Sequence, residues 1–293
     1  MAGTKRTWDG HPLDTAPPAT MSTDSPSIHA MFETFRNELD EHHDRRERLI
    51  KTSRDITALS KKIIFSLQRI RQINKPLPPK TIKEINEKFN QITHLFTTTL
   101  PDLTSQNQHR YQRQLSGAIQ EFIEALSFHH YLTTQTLITL PEVRAHLPTG
   151  IPLTEEDYLM GLFDLTGEVM RFAVTTLSGS SSSPSSTEEG EGQGEGKDSA
   201  TAKQTKVQLP SEQNAIVVDL RAMRAAIELL NIPRRHAGLM FRDMGRKIEV
   251  MQGSVEKVER AAYGILVRGS ERPEGWRPDL SAGAGGAGEG EVY

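Results

Sequence analysis

The chain has 293 residues, a formal net charge of −3 and no cysteine. These facts exclude disulfides, thiolate-ligated zinc, iron–sulfur clusters and a cysteine nucleophile, and they leave any nucleic-acid contact to a local basic face. Hydrophobic residues make up 35% and the mean hydropathy is −0.51, so part of the chain is expected to lie outside any core, and no run reaches the roughly 18 apolar residues of a membrane span.

Residues 1–24 are rich in Pro, Thr and Asp and lack an apolar h-region. They read as a disordered tail and not as a secretory signal. Ser25–Pro26 has the form of an N-cap followed by Pro at the first helical position. From there to Arg71 neither Gly nor Pro occurs, and Phe35, Leu39, Leu49, Ile50, Ile56, Leu59, Ile63, Ile64, Leu67 and Ile70 recur at mostly helical spacings. One helix of more than about 40 residues is predicted, and such a length requires partners to bury its apolar stripe.

Pro76, Pro78 and Pro79 end it. A helix over 80–99 follows from Ile82, Ile85, Phe89, Ile92 and Phe96, and Pro101 breaks the pattern again. A long helix is predicted over 105–140, a short one near 141–146, and another opening at Thr154–Glu155–Glu156–Asp157, whose acidic first turn suits the macrodipole, and running to about Leu177. The Ser/Gly/Glu-rich stretch after it is low-complexity. Its length first suggests a domain boundary. Helical periodicity returns over 211–231 and 234–267, split by Pro233. Strand alternation and hairpin dipeptides are absent. The fold class read from these elements is all-α, with six or seven helices.

Two acidic pairs stand apart from ordinary surface charge. In GAIQEFIEALSFHH, Glu121 and Glu124 are the only charged carboxylates between Leu115 and Pro141, and no Lys or Arg accompanies them there. On a helical wheel they lie about 60° apart. Phe128 falls between them and Leu132 lies close to Glu121, so they share a face with large apolar groups. In DYLMGLFDLTGEVMRF, Asp164 and Glu168 are i,i+4 neighbours on a helix that is apolar nearly all round. Arg171 is placed to pair with either. A buried carboxylate without a partner is costly. Two helices carrying two inward acids each would build an oxygen-lined pocket suited to a hard cation such as Mg²⁺ or Mn²⁺. The Glu-x-x-His spacing of di-iron bundles fails here, because Ser127 occupies that position. His129 and His130 follow the acids and read as structural histidines on a packed helix.

The stretch 45–71 carries nine Arg and Lys against Glu47 and Asp55. Single members read as solvated or paired surface charges. Together Arg45, Arg48, Lys51, Arg54, Lys61, Lys62 and Arg69 are the best candidates for sequence-independent contact with phosphates. Arg110 and Arg113 precede Glu121 by two to three turns and are added to that set.

RERLIKTSRDITALSKKIIFSLQRI (46–70), QEFIEALSFHHYL (120–132), DYLMGLFDLTGEVMR (157–171) and VEKVERAAYGILVRGSE (255–271) resemble, in combination and in order, the translin family over about residues 31–271. The resemblance turns the low-complexity stretch into a loop insertion. The layout implied is a tail at 1–24, a helical domain at 25–272 interrupted by a disordered loop at 178–210, and a tail at 273–293. It implies a translin-like bundle of about seven helices and a hetero-oligomer with translin, an octameric shell enclosing RNA. It also implies a Mg²⁺-dependent endoribonuclease that cleaves single-stranded RNA, with single-stranded DNA as a further ligand. Passenger-strand fragments in RNA silencing and transfer-RNA precursor fragments are the substrates implied, in cytoplasm and nucleus. By local match the family's catalytic and metal-binding acids fall on Glu121, Glu124, Asp164 and Glu168. The alternative is a non-catalytic, translin-like single-stranded nucleic-acid-binding subunit; translin itself lacks the first glutamate pair and the motif aspartate.

Overall fold

The computed structural model describes residues 27–179, 211–230 and 238–268. The two tails and nearly all of the insertion at 178–210 lie outside the described residues. Seven α-helices follow in order: α1 (Ile28–Leu67), α2 (Pro79–Thr99), α3 (Asn107–Thr134), α4 (Leu140–Ala145), α5 (Glu155–Gly179), α6 (Ser211–Glu228) and α7 (Gly238–Arg268). A 3₁₀ turn, Leu100–Leu103, joins α2 to α3. No strand occurs among the described residues. The expectation of an all-α bundle with very long helices holds.

The local chemistry of the boundaries explains most of them. Pro at N1/N2 opens α2, where its missing N–H costs nothing. A capping box between Thr139 and Glu142 opens α4. The helix predicted over 105–140 ends earlier than expected. Gln135 turns left-handed at φ 55° and closes α3, and Asn74, itself at φ 56°, donates from its side chain to Gln135 Oε1 at 2.7 Å. Thr154 caps α5: it accepts from Asp157 N at 3.1 Å and donates to Asp157 Oδ2 at 2.8 Å.

The chain divides into two units, with the division after Arg45. In the first, the helical stretch from Ile28 carries Ile28, Met31, Phe32, Phe35 and Leu39 exposed. Phe35 and Leu39, expected to belong to a buried stripe, are therefore exposed among the described residues. The stripe becomes a core element only in the second unit, where Leu49, Ile56, Ile63 and Leu67 are fully buried. There Phe122 of α3 meets Phe96 at 5.7 Å and Phe89 at 6.0 Å, both edge-to-face, an arrangement aromatic rings favour. Tyr131 donates to Asp219 Oδ2 at 2.9 Å and ties α3 to α6. Val255, Val258 and Ala262 of α7 are buried in the same core.

α3 and α5 form the most extensive helix pair, and α5 also packs on α6 and α7. Two devices lock α3 to α5. Asp157, only 1% exposed, accepts from Ser116 of α3 and from Gln120 at 3.0 Å. One turn further, Gly161 lets the helices approach: a Cβ there would lie 2.7 Å from Ile123 Cβ and Cγ2 and 3.0 Å from the Gln120 carbonyl oxygen. The Gly161→Ala substitution is expected to destabilise the fold by about 1–3 kcal/mol. Gly167→Ala, where a Cβ meets nothing within 4 Å, is expected to stabilise it by about 0.5–1 kcal/mol. Urea midpoints compare the two; an unchanged midpoint for Gly161→Ala would mean that the helices do not cross this closely.

Candidate active site

The lock between α3 and α5 sets which side chains face each other beyond it. Contact partners advance together along both helices, from Ser116 and Gln120 against Asp157 to Ile123 against Gly161. Next to Ile123 on α3, Glu124 comes within electrostatic reach of Asp164 and Glu168 on the following turns of α5. All three other acids act electrostatically on Glu124. The three other acids singled out from sequence thus lie within electrostatic reach of Glu124, on the two helices expected.

Each carboxylate has a different environment. Glu168 is buried, with 6% exposure. It accepts from Gln68 Nε2, just beyond the end of α1, at 2.8 Å and from Arg171 at 3.2 Å. Of the two acids open to Arg171, the arginine chooses Glu168. Asp164 receives Lys247 of α7, whose Nζ lies 2.6 Å from both Oδ1 and Oδ2 and 3.3 Å from the Met160 carbonyl oxygen. Glu121 pairs with Lys61 of α1 at 3.3 Å. Glu124, half-buried, has no hydrogen-bond or ion-pair partner among the described residues. Burial, then the charges of Asp164, Glu121 and Glu168, push its carboxyl up to about 8, against a smaller opposing pull from Lys247.

Among the described residues no three His, Cys, Asp or Glu side chains already stand close enough to hold a metal ion. Three of the acids are held by other side chains: Glu121 by Lys61, Asp164 by Lys247, and Glu168 by Gln68 and Arg171. The chemistry of the donor set nevertheless fits a hard divalent cation. All four donors are carboxylates, and one is left uncompensated in a partly desolvated position.

Lys247 and Gln68 were not among the sequence candidates. Lys247 carried a signal, since it stands three residues after Met244 and four before Met251, both buried, and a lysine in such a row needs an acid to meet it. Gln68 carried none. The basic candidates separate by partner. Arg45 pairs with Glu41 at 2.6 Å, Arg48 forms a two-pronged bond to Asp102 at 2.7 and 3.1 Å, and Lys61 serves Glu121. Arg69 lies over the Phe65 ring at 4.8 Å. Lys51, Arg54, Lys62, Arg110 and Arg113 are exposed. His129 stands edge-on to Phe89 at 6.0 Å, where burial and neighbouring His130 and His146 hold its imidazole below the usual histidine range. His130 bonds Thr136 Oγ1 at 3.0 Å. Both histidines have structural surroundings, as expected.

A helical bundle with four carboxylates gathered from two helices, flanked by a basic helix, is the arrangement on which the comparisons with known proteins bear. The chain belongs to the Translin family, whose family model matches residues 44–269. It is similar to Translin-associated protein X of Rattus norvegicus, with 26% identity over 300 residues, 94% of this chain and 91% of that protein. It is similar to the Translin-associated protein X homolog of Schizosaccharomyces pombe, with 27% identity over 241 residues, 82% of this chain and 89% of that protein. Similarity to human Translin is less extensive, 24% over 160 residues, 52% of this chain and 70% of that protein. Among solved structures, apo-NeC3PO superposes with a TM-score of 0.54 at 15% identity, covering 78% of this chain and 94% of that chain. AfC3PO does so with a TM-score of 0.50 at 17% identity and the same coverage. These two support the fold.

The raised Glu124 carboxyl has a consequence for stability in metal-free buffer. Its folded value, about 8 against an ordinary 4.5, means that between those pH values the folded state binds more protons than the unfolded state. Stability therefore falls as pH rises from about 4.5 to about 8. Glu124→Gln is expected to flatten that fall, and Lys247→Met, which removes the opposing pull, to extend it to higher pH. Thermal melts in EDTA from pH 5 to 9 measure this; parallel profiles for wild type and Glu124→Gln would refute the assignment of Glu124 as the uncompensated charge.

Proposed function

We propose that this chain is the catalytic subunit of a complex with translin, a Mg²⁺-dependent endoribonuclease that cleaves single-stranded RNA. The observation that carries the reading is the uncompensated Glu124 carboxyl among three further acids from α3 and α5. Such an excess of oxygen ligands in a half-buried position calls for a cation that no side chain supplies. The similarity to proteins named Translin-associated protein X, over nearly the whole chain, supports translin as partner in an octameric shell.

Glu121, Glu124 and Asp164 would hold Mg²⁺, with Mn²⁺ as a substitute. When bound, the cation supplies Lewis acidity to the phosphodiester and activates a water as nucleophile. Glu168, fixed between Gln68 and Arg171, orients that water by accepting its proton in a hydrogen bond. The water's oxygen would join phosphorus as it gives up a proton to solvent, and the bond to the leaving ribose oxygen would break as that oxygen takes a proton from solvent. Lys61 and Lys247 keep the acid cluster from repelling the RNA phosphates. Exposed Lys51, Arg54 and Lys62, with Arg110 and Arg113, contact the backbone without reading sequence. Passenger-strand and transfer-RNA precursor fragments, in cytoplasm and nucleus, are the substrates that follow from this reading, and single-stranded DNA would bind in the same manner.

The deciding experiment is co-expression with translin followed by single-stranded RNA cleavage in Mg²⁺ and in EDTA. Wild type is expected to cleave in Mg²⁺ only. Glu124→Ala is expected to assemble and bind RNA while cleavage falls at least about a hundredfold, the upper end of what weakened metal sites lose. RNA binding without cleavage by the wild-type complex would favour a translin-like binding subunit instead.

A further inference from the structure

Phe65 is 59% exposed near the end of α1, a helix whose neighbouring apolar residues Ile63, Ile64 and Leu67 are buried. A single exposed aromatic is ordinary on a protein surface. Its neighbours here are not. Lys61, one turn before it, reaches Glu121 at 3.3 Å. Gln68, three residues after it, reaches Glu168 at 2.8 Å. Residues three and four apart on a helix are neighbours, with about 5–6 Å between Cβ atoms. Phe65 therefore stands between the two side chains through which α1 touches the acid cluster, on the border of that cluster. Arg69 lies over its ring, with Cζ 4.8 Å from the centroid, and Lys62, one turn before it, is exposed.

An exposed ring backed by a guanidinium is the surface on which an unpaired base stacks: aromatic and arginine planes both accept base faces, and nearby cations accept the flanking phosphates. The position beside the acids matters as much as the chemistry. A base held there fixes the sugar and phosphate attached to it next to the carboxylates. We propose that Phe65, backed by Arg69, is a base-stacking subsite that holds one unpaired nucleobase of single-stranded RNA beside the carboxylate cluster. The inference rests on the reading of that cluster as an RNA-cleaving site and adds to it the element that positions the strand. It makes no distinction among bases, since every base offers a π-face. A duplex, whose bases are already stacked, gains nothing from it, so the subsite selects for single strands.

The test uses the full chain co-purified with translin, in a Glu124→Gln background so that RNA stays intact, with binding of a fluorescent single-stranded oligoribonucleotide read by anisotropy. Phe65→Ala is expected to weaken binding about tenfold, with oligomeric mass and Mn²⁺ affinity unchanged. Phe65→Leu, apolar but unable to stack, is expected to behave like Phe65→Ala, and Phe65→Tyr like the parent. In Phe65→Trp the introduced indole is expected to be quenched by RNA; Trp8 and Trp276 are common to both proteins, so the difference from the parent reports the new ring. Parental affinity in both Phe65→Ala and Phe65→Leu overturns the subsite, as does a loss that tracks disassembly of the complex, which would make Phe65 part of a protein interface. The outcomes also separate the two readings. Stacking losses in a wild-type complex that never cleaves would uphold the subsite and sink the nuclease, whereas Mg²⁺-dependent cleavage with silent Phe65 variants would do the reverse.

Discussion

The buried carboxylate of Asp157 is the constraint on which the rest of the site depends. It sits in the first turn of α5 and is satisfied from its own helix by Thr154 and from α3 by Ser116 and Gln120. A buried acid without these donors would be costly, so only the arrangement that supplies all of them is stable. Gly161, with room only for hydrogen against Ile123, then fixes how closely the helices lie. Polar satisfaction sets the register and close packing sets the spacing. Glu124 comes within electrostatic reach of Asp164 and Glu168 as a consequence, not through any attraction among the acids.

Their mutual repulsion is the other side of that arrangement. Left alone, four carboxylates in a partly buried cleft would drive the helices apart or take up protons. The bundle limits this with partners drawn mostly from outside the α3–α5 pair. Lys61 and Gln68 come from the α1 region, Lys247 from α7, and Arg171 from one turn along α5. Lys61 engages Glu121, Lys247 engages Asp164, and Gln68 and Arg171 together engage Glu168. The exception is Glu124, where burial outweighs what Lys247 offers. A fold built only for stability would place an amide or an apolar group there. The retained carboxyl is a local cost to stability, and rules of this kind are broken most often at functional sites.

The legibility of these features in the sequence follows from how local they are. Some helix starts were readable because proline and capping residues act within one turn: α2 opens at Pro79, one residue before the expected start, and α5 opens after Thr154 as expected. The end of α3 was not readable, because Gln135 adopts its left-handed turn with help from Asn74, sixty-one residues away in sequence. The four acids were readable as an anomaly, since acids lacking local cations in apolar surroundings break the usual pattern. Their counter-charges were not. Lys61 looks like one of many cations on a basic helix, and Lys247 belongs to a helix more than a hundred residues downstream of Glu124. Asp157 was read as a favourable charge at a helix start. Its burial and its grip on α3 depend on a packing partner that no local pattern names.

α1 shows how one helix can carry several roles by face and by position. Leu49, Ile56, Ile63 and Leu67 form a fully buried row, which holds the backbone rigid. On that support Lys61 and Gln68 reach the acids, and Phe65 stays in solvent between them. Side chains meant to grip a flexible strand gain from such backing, because a rotamer held by a packed helix loses little entropy on binding. The same reasoning separates the basic residues. Arg48 is already committed to Asp102 and Lys61 to Glu121, so their charge neutralises the protein's own acids. Exposed Lys51, Arg54 and Lys62 keep theirs for a ligand. The basic stretch is therefore not a uniform phosphate-binding surface. Part of it is paired with the protein's own acids, and the remainder stays exposed.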